Sequence, residues 1–273
     1  MFLSRVSLRH VPAARKVLLE VMRDGVYGQH QLLWRLFSGD DQRHFLFREE
    51  VGDGRIFAAG EPWFYMLSRQ QPADAEGLFQ VESRRFQPRL QAGQKLDFRL
   101  RLNPTLCRQG KRHDVVMDAQ HQWLQRESGQ LELPTDGTKQ QIKARLLDMA
   151  TDADLARWRE QIAAGPYQAA CEGRLGRRQT LNLALKTCSD NAVRNWWQSR
   201  SENYGIRVDP AAMEINAYQQ RRMPGKGKNA SFSSVDLTGR LQVADPEVFL
   251  QQLQHGFGRA KAFGCGLMMI KPA

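Results

Sequence analysis

Lys95-Leu96-Asp97-Phe98-Arg99-Leu100-Arg101-Leu102 alternates without a break. Leu96, Phe98, Leu100 and Leu102 face one way, and Lys95, Asp97, Arg99 and Arg101 face the other, which is the period of a half-buried strand. Ala92-Gly93 precedes this strand and Asn103-Pro104 ends it. The spacing predicts that a second domain opens at residue 93, after a first domain of residues 1–92. Upstream, residues 2–8, 45–51, 63–69 and 79–87 read as strands, with the turn signal Asp53-Gly54 between the second and third. Pro12 suits the first turn of a helix, and Val17, Leu18, Val21 and Met22 recur at helical spacing. Asp24-Gly25 is expected to break that helix. A second helical stretch then carries Leu32, Leu33, Leu36 and Phe37 on its apolar face and stops near Gly39. The order is strand, helix, strand, strand, strand, and a helix near 73–77 would complete a ferredoxin-like βαββαβ unit.

Downstream of residue 102, residues 114–126 read as a helix with Val115, Val116, Ala119, Trp123 and Leu124 as its apolar set. From about 130 to 195 the chain is mainly helical and charged, as an insertion or helical subdomain. Strand character returns over 213–243, where Pro224-Gly225-Lys226-Gly227-Lys228-Asn229 reads as a hairpin tip. Asp245 and Pro246 start a helix that runs to His255, and Gly256 is placed to end it. A glycine-rich loop and a last strand, Leu267-Met268-Met269-Ile270, follow. Helices and strands are segregated in this way in an α+β fold.

The chain has 273 residues, 41% hydrophobic and 25% charged, with a formal net charge of +11. That composition suits a globular chain, and the positive surplus favours a polyanion such as nucleic acid or an anionic membrane. No stretch is long and apolar enough to cross a bilayer, and Met1-Phe2-Leu3-Ser4-Arg5-Val6 does not read as a signal peptide. Cys107, Cys171, Cys188 and Cys265 are scattered with no Cys-x-x-Cys pair, which speaks against a thiolate zinc site or a disulfide framework. A reducing cytoplasm is the simplest location. The six histidines show no ligand spacing such as His-Glu-x-x-His, so neither a metal nor another cofactor is expected.

Three constellations could carry chemistry. Tyr27 and His30 lie three apart and share a face if a helix covers them. An imidazole that titrates near neutral pH can move a proton during RNA cleavage, and a phenol can orient a hydroxyl or phosphate oxygen; a histidine beside a core face is, however, more often structural. Gly256-Phe257-Gly258-Arg259-Ala260-Lys261-Ala262-Phe263-Gly264-Cys265-Gly266 allows close backbone approach to phosphate and carries Arg259 and Lys261. Its order, helix then loop then strand, is the reverse of a nucleotide-cofactor loop, and a tight connection packed on a sheet would use the same glycines. Arg221, Arg222, Lys226 and Lys228 sit on the expected hairpin, where they would suit an RNA groove or its phosphates or simply a solvated loop. Lys111-Arg112-His113 is a shorter basic cluster with the same two readings.

In combination these segments resemble the CasE family, the repeat-processing endoribonucleases of type I-E CRISPR systems. Tyr27-x-x-His30-x-x-Leu33-Trp34-x-Leu36-Phe37 is similar to the family's catalytic segment, and Gly256-Phe257-Gly258-x-x-Lys261-x-x-Gly264-Cys265-Gly266-Leu267 to its glycine-rich loop. Phe45-Leu46-Phe47, Phe98-Arg99-Leu100-Arg101-x-Asn103-Pro104 and Lys111-Arg112 match in the same order, over residues 1–126 and 200–273; the block from about 130 to 195 departs from the family pattern. The resemblance implies two tandem ferredoxin-like, RRM-related domains, with the helical insertion in the second. It implies metal-independent cleavage at the 3′ side of a repeat stem-loop by 2′-hydroxyl attack, with His30 and Tyr27 as catalytic residues. RNA would be held by Lys111, Arg112, Arg221, Arg222, Lys226, Lys228, Arg259 and Lys261 with Gly256, Gly258, Gly264 and Gly266. The partners implied are CRISPR repeat hairpin RNA, the mature crRNA and the other Cascade subunits, and no membrane. A non-catalytic RNA-binding subunit of the same fold shares these features and differs only in having no use for His30. A third reading makes the helical block an interaction module on a basic scaffold.

Overall fold

The computed structural model describes residues 1–37, 44–52, 61–222 and 231–273, with the backbone alone at 20–26 and 222. The chain runs through β1 (Phe2–Leu8), α1 (Pro12–Trp34), β2 (Phe45–Val51), β3 (Pro62–Ser68), β4 (Phe79–Arg85), β5 (Lys95–Leu102), β6 (Thr105–Arg108), β7 (Lys111–Asp114) and α2 (Val115–Gln130). It continues through α3 (Lys139–Met149), α4 (Asp152–Ala163), α5 (Arg177–Ser201), β8 (Ile206–Val208), β9 (Glu214–Arg222), β10 (Ser231–Val243), α6 (Pro246–His255) and β11 (Met268–Pro272). Two compact units result: Met1–Asn103 with Arg200–Ala273, and Pro104–Ser199.

The first unit holds two antiparallel sheets. One has the order β2-β3-β1-β4, with Val6 between Phe64 and Val81 across the strands. Val6, Phe45, Phe47, Phe64, Met66 and Phe79 form one face, covered by Leu32, Leu33, Leu36 and Phe37 from α1 and the turn after it. The helix runs unbroken through Asp24-Gly25, against the expected break. A glycine inside a helix costs about 1 kcal/mol relative to alanine. Burying each of three leucines is worth about 1.5–3 kcal/mol, and one continuous helix is what seats Ala14 and Leu32–Leu36 on the same sheet. Gly39 and Asp53-Gly54 lie outside the described residues. Residues 73–77 form no helix. The Asp74 carboxylate instead accepts from the amides of Leu78 (3.0 Å) and Phe79 (3.1 Å), a local side-chain capture that competes with helix, and Gly77 sits at φ 69°.

The other sheet has the order β11-β5-β10-β8, and β9 pairs with β10 on the same side as β8. β5 occupies the span its alternation predicts, with Leu96, Phe98, Leu100 and Leu102 buried. Its polar face is not simply solvated: Asp97 lies opposite Arg240 and Arg101 opposite Asp236, each an ion pair across the strands. Asp245 caps α6 by accepting from the amides of Glu247 and Val248. Gly256 ends the helix at φ 76°, where a Cβ would stand 2.7 Å from a methyl of Leu46 on β2. Leu267 joins Leu3, Leu46 and Leu67 in a small apolar cluster that ties the two sheets together.

The second unit begins with the hairpin β6–β7, which sequence reading passed over. Its turn is Gln109-Gly110, both at positive φ (50° and 74°), the conformation that two-residue hairpins prefer. Asp114 then caps α2 through the Met117 amide (2.8 Å), and α3 and α4 each start with a complete capping box, Thr138/Gln141 and Thr151/Asp154. The helices enclose a core of their own that includes Trp123, Leu146, Trp158 and Leu181. Glu127 is buried in it and accepts from Trp158 Nε1 (2.9 Å) and Arg157 (2.7 Å). No described helix is long and apolar enough to cross a membrane.

Gly256→Ala should destabilise the protein by about 1–3 kcal/mol more than Gly77→Ala in urea denaturation. Both residues sit at positive φ, but a Cβ at Gly77 meets nothing within 4 Å. Equal losses would show that the α6 terminus tolerates the bulk against Leu46.

Candidate functional site

β2 organises the site because its two faces do different work. Phe45, Phe47 and Glu49 face α1; Leu46, Arg48 and Glu50 face the second sheet. His30, near the end of α1, stacks on Phe45 (ring centroids 5.6 Å, 27° between planes) and lies against Trp34 (5.6 Å) and Phe47 (6.5 Å). These rings fix the imidazole on the helix surface, half-buried. Tyr27, one turn earlier, is 40% exposed. Gln29, between them, donates through Nε2 to Glu49. The other oxygen of Glu49 meets Arg221 of β9 at 3.4 Å, and its carbonyl accepts from Arg101 Nη1 (3.2 Å). One carboxylate thus links the end of α1 to the strand that leads into the basic hairpin.

Beneath this link lies a charge cluster. Arg48, 2% exposed, donates to Glu50 (2.6 Å) and reaches Asp236 (3.3 Å). Arg101 grips both oxygens of Asp236 (2.8 and 3.0 Å), and Arg99 approaches Glu50 at 3.4 Å. Burial pushes the Asp236 carboxyl up, but hydrogen bonds from Arg101 and the charges of Arg48, Arg101 and Arg99 outweigh it and hold the pKa below the usual aspartate value. For Arg101, burial opposes the charge, yet Asp236 keeps its pKa above the ordinary value. The neighbouring Cys265 thiol is pushed up to about 12, chiefly by burial, so it is no nucleophile near neutral pH.

The glycine-rich loop closes over this region. Its 3₁₀ turn, Lys261–Phe263, lies against α1 and β2. A Cβ on Gly264 would come 3.3 Å from Phe47, one on Gly266 2.7 Å from the Phe257 carbonyl, and one on Gly258 3.3 Å from Leu102. Packing within the protein therefore accounts for the absence of side chains at Gly256, Gly258, Gly264 and Gly266. Lys261 donates to the His255 carbonyl at the end of α6 (2.7 Å), a favourable place for a cation, while Arg259 is exposed.

Tyr27, His30, Arg221 and the glycine-rich loop are thus brought together on the first unit. Lys111 and Arg112 are exposed on β7 in the second unit. Arg222 closes β9 with only its backbone described, and Lys226 and Lys228 lie outside the described residues. Gln29, Glu49, Arg48, Arg101 and Asp236 were not singled out from sequence. The signals for Arg101 were its place on the polar side of an alternating strand, which reads equally as a solvent face, and its place in a segment similar to the family pattern; neither assigned it a role. Among the described residues, no group of three or more His, Cys, Asp and Glu side chains is arranged to hold a metal.

A family model described as CRISPR associated protein matches residues 1–272. The CRISPR system Cascade subunit CasE of Escherichia coli K12 is 24% identical over 252 residues, 90% of this chain and 92% of that protein. Among solved structures, Thermus thermophilus Cse3 bound to an RNA representing a pre-cleavage complex is similar with TM-score 0.59 and 22% identity, covering 99% of this chain and 98% of that one. The Escherichia coli K-12 CRISPR-associated protein Cas6e is similar with TM-score 0.54 and 21% identity over 100% of both chains.

Asp236→Asn should lower stability by about 3–5 kcal/mol at pH 7, because it leaves buried guanidinium charge uncompensated. A carboxyl with a depressed folded pKa contributes stability that is complete above its unfolded value, about 4, and is lost as pH falls through the folded value. The gap between wild type and variant in chemical denaturation should therefore narrow below about pH 4. A gap that stays constant down to pH 2 would remove Asp236 from the acid response.

Proposed function

We propose that this chain, which belongs to the CRISPR-associated protein family, is an endoribonuclease that cuts a CRISPR repeat RNA at the 3′ side of its stem-loop and stays on the product. The observation that carries this reading is the seating of His30 and Tyr27. Both sit near the end of one helix, His30 held by Phe45 and Phe47 and Tyr27 exposed one turn before it, beside a glycine-rich loop and tied through Gln29 and Glu49 to a basic strand. A relative of similar length is a Cascade subunit, and a solved structural neighbour carries RNA.

The chemistry needs two proton transfers. The 2′-hydroxyl loses its proton as its oxygen bonds to the scissile phosphorus; the P–O5′ bond breaks, and the leaving 5′-oxygen gains a proton. His30 serves one of these transfers, and Tyr27 supports it by hydrogen bonding. The products are a 2′,3′-cyclic phosphate, or the 3′-phosphate that water forms from it, and a 5′-hydroxyl. The reaction needs no metal or other cofactor in this reading. Arg221, Arg222, Lys226, Lys228, Lys111, Arg112, Arg259 and Lys261 hold the RNA together with the loop around Gly256, Gly258, Gly264 and Gly266. Mature crRNA and the other Cascade subunits are the partners, in the cytoplasm and away from membranes.

The strand orders support the fold that this reading implies. β4-β1-β3-β2 in the first sheet and β11-β5-β10-β9 in the second are the same sequence of positions, that of a ferredoxin-like unit used twice. The first copy lacks its second helix, and the helical block follows the first strand and the β6–β7 hairpin of the second copy. In this reading the domains are residues 1–92 and 93–273, with the compact helical unit inserted in the second. A second reading, an RNA-binding subunit without catalysis, is supported by the packing of His30 against three aromatic rings, as expected of a structural side chain.

Wild-type protein should cleave a cognate repeat hairpin in EDTA, and should not cleave the same RNA with a 2′-deoxy substitution before the cut. His30→Ala should slow cleavage by about 10²–10⁴-fold with the hairpin Kd little changed. Normal cleavage by His30→Ala would select the non-catalytic role for that residue. Loss of activity in EDTA, restored by a divalent ion, would overturn the metal-independent mechanism.

A further inference from the structure

The helical unit carries cations where helices ordinarily carry acids. α3 begins with Lys139 and α5 begins with Arg177-Arg178, and neither has an acidic residue in its first turn. By contrast α4 places Asp152 and Asp154 there, α2 Asp118, and α6 Glu247. The positive end of a helix dipole disfavours a cation as it favours an anion. Arg177 is committed elsewhere, donating to the Ala150 carbonyl at 2.7 Å.

Lys139, Lys143 and Arg178 are not paired with any carboxylate among the described residues. Lys139 donates instead to the side-chain oxygen of Gln120 on α2, and Lys143 to that of Asn182 on α5. Three helices are thereby stitched by neutral amides, and the cations are left uncompensated. Both lysines titrate below the ordinary value: burial comes first, then the charge of Lys143 on Lys139 and of Arg178 on Lys143. An amide whose oxygen is taken by lysine still has an NH₂ to donate. Lys139 and Lys143 stand one helical turn apart, about 5–6 Å at Cβ, so a single strand with regularly spaced anionic groups can meet both.

We propose that Lys139, Lys143 and Arg178, with Gln120 and Asn182, form a phosphate-backbone site on the helical unit that contacts an RNA strand. The choice of RNA over an acidic protein rests on the reading given under Proposed function. An approaching phosphodiester supplies the missing counter-charge to the three cations and to both helix ends, and its oxygens accept from the two amides. The site reads no base, so its contribution is to affinity and not to sequence choice.

The test uses the whole protein and its Lys139→Gln/Lys143→Gln/Arg178→Gln variant. The probe is a repeat stem-loop RNA with uridine extensions at both ends, titrated by fluorescence anisotropy at several salt concentrations. The variant should bind more weakly, with a plot of log K against log salt shallower by about 2–3. Its Tm should be equal to or higher than that of wild type, because mutual repulsion has been removed. An unchanged slope and affinity would overturn the site, and a lower Tm with an unchanged slope would make the cluster structural. A polyglutamate probe that loses binding while RNA does not would reassign the cluster to an acidic protein. Wild type that binds with the steeper slope but cuts nothing would sink the endoribonuclease reading and leave this site standing. Binding of no RNA at all would end both.

Discussion

Asp236 sits opposite Arg101 across two strands and within reach of Arg48 from the other sheet, and together with Glu50, which Arg48 also meets, it supplies the counter-charge for two guanidinium groups with little access to water. A fully buried charge without a partner costs several kcal/mol, which makes this contact a condition on the fold and not an ornament of it. An apolar trio of the same volume could be as stable, but it would specify less. In β5, slipping the register by one residue would put Leu100 or Leu102 against Asp236 and turn every leucine to the wrong face. The ion pairs and the leucines on the two faces of β5 therefore agree on one pairing. That agreement fixes how the second sheet meets β2.

From β2 the constraint passes to the candidate site. Arg48 and Glu50 are held from below by Asp236 and Arg99, and the residues between and beside them, Phe47 and Glu49, hold His30 and Gln29 from above. A strand whose alternate residues are fastened on both sides has little freedom to slide or twist. The imidazole consequently takes part of its position from the charge cluster on the far face of β2. The glycine-rich loop adds to this, because Gly256 and Gly264 let the chain approach Leu46 and Phe47 more closely than any side chain would allow. Sequence reading gave those glycines two equal roles, approach to phosphate or packing; their neighbours in the protein are sufficient reason for the packing role.

Much of the fold was legible because it follows local rules. β5 could be read from its period, and α6 from Asp245, Pro246 and Gly256. The candidate pair Tyr27 and His30 could be placed on one helix face from spacing alone. The two departures have different sources: Asp24-Gly25 was read as punctuation, and the helix near 73–77 was expected to complete a βαββαβ unit. Gly25 did not break α1, because tertiary burial of Leu32 and its neighbours outweighed a small local cost. The window at 73–77 did not become a helix, because the Asp74 side chain captured the amides of Leu78 and Phe79. The charge cluster was illegible for a different reason. Arg48, Arg101 and Asp236 are far apart in sequence, and each on its own strand looks like a residue facing water. Only pairing across strands and sheets turns them inward, and no periodicity reports that.

The helical unit shows the opposite pattern, where local rules are kept almost everywhere and broken at the starts of α3 and α5. Its caps are complete at α2, α3 and α4, its core is closed around Trp123 and Trp158, and its buried Glu127 is matched by Arg157 and an indole. In a unit so well satisfied, Lys139 and Lys143 add only hydrogen bonds to neutral amides, which an uncharged side chain could also make without the repulsion among the three cations. Stability alone would place acids at the starts of α3 and α5, as it does at α4. Sites that break a local rule without a structural return are where function is to be sought, and uncompensated cations at two helix starts, on a chain that carries eleven surplus positive charges, await an anion from outside.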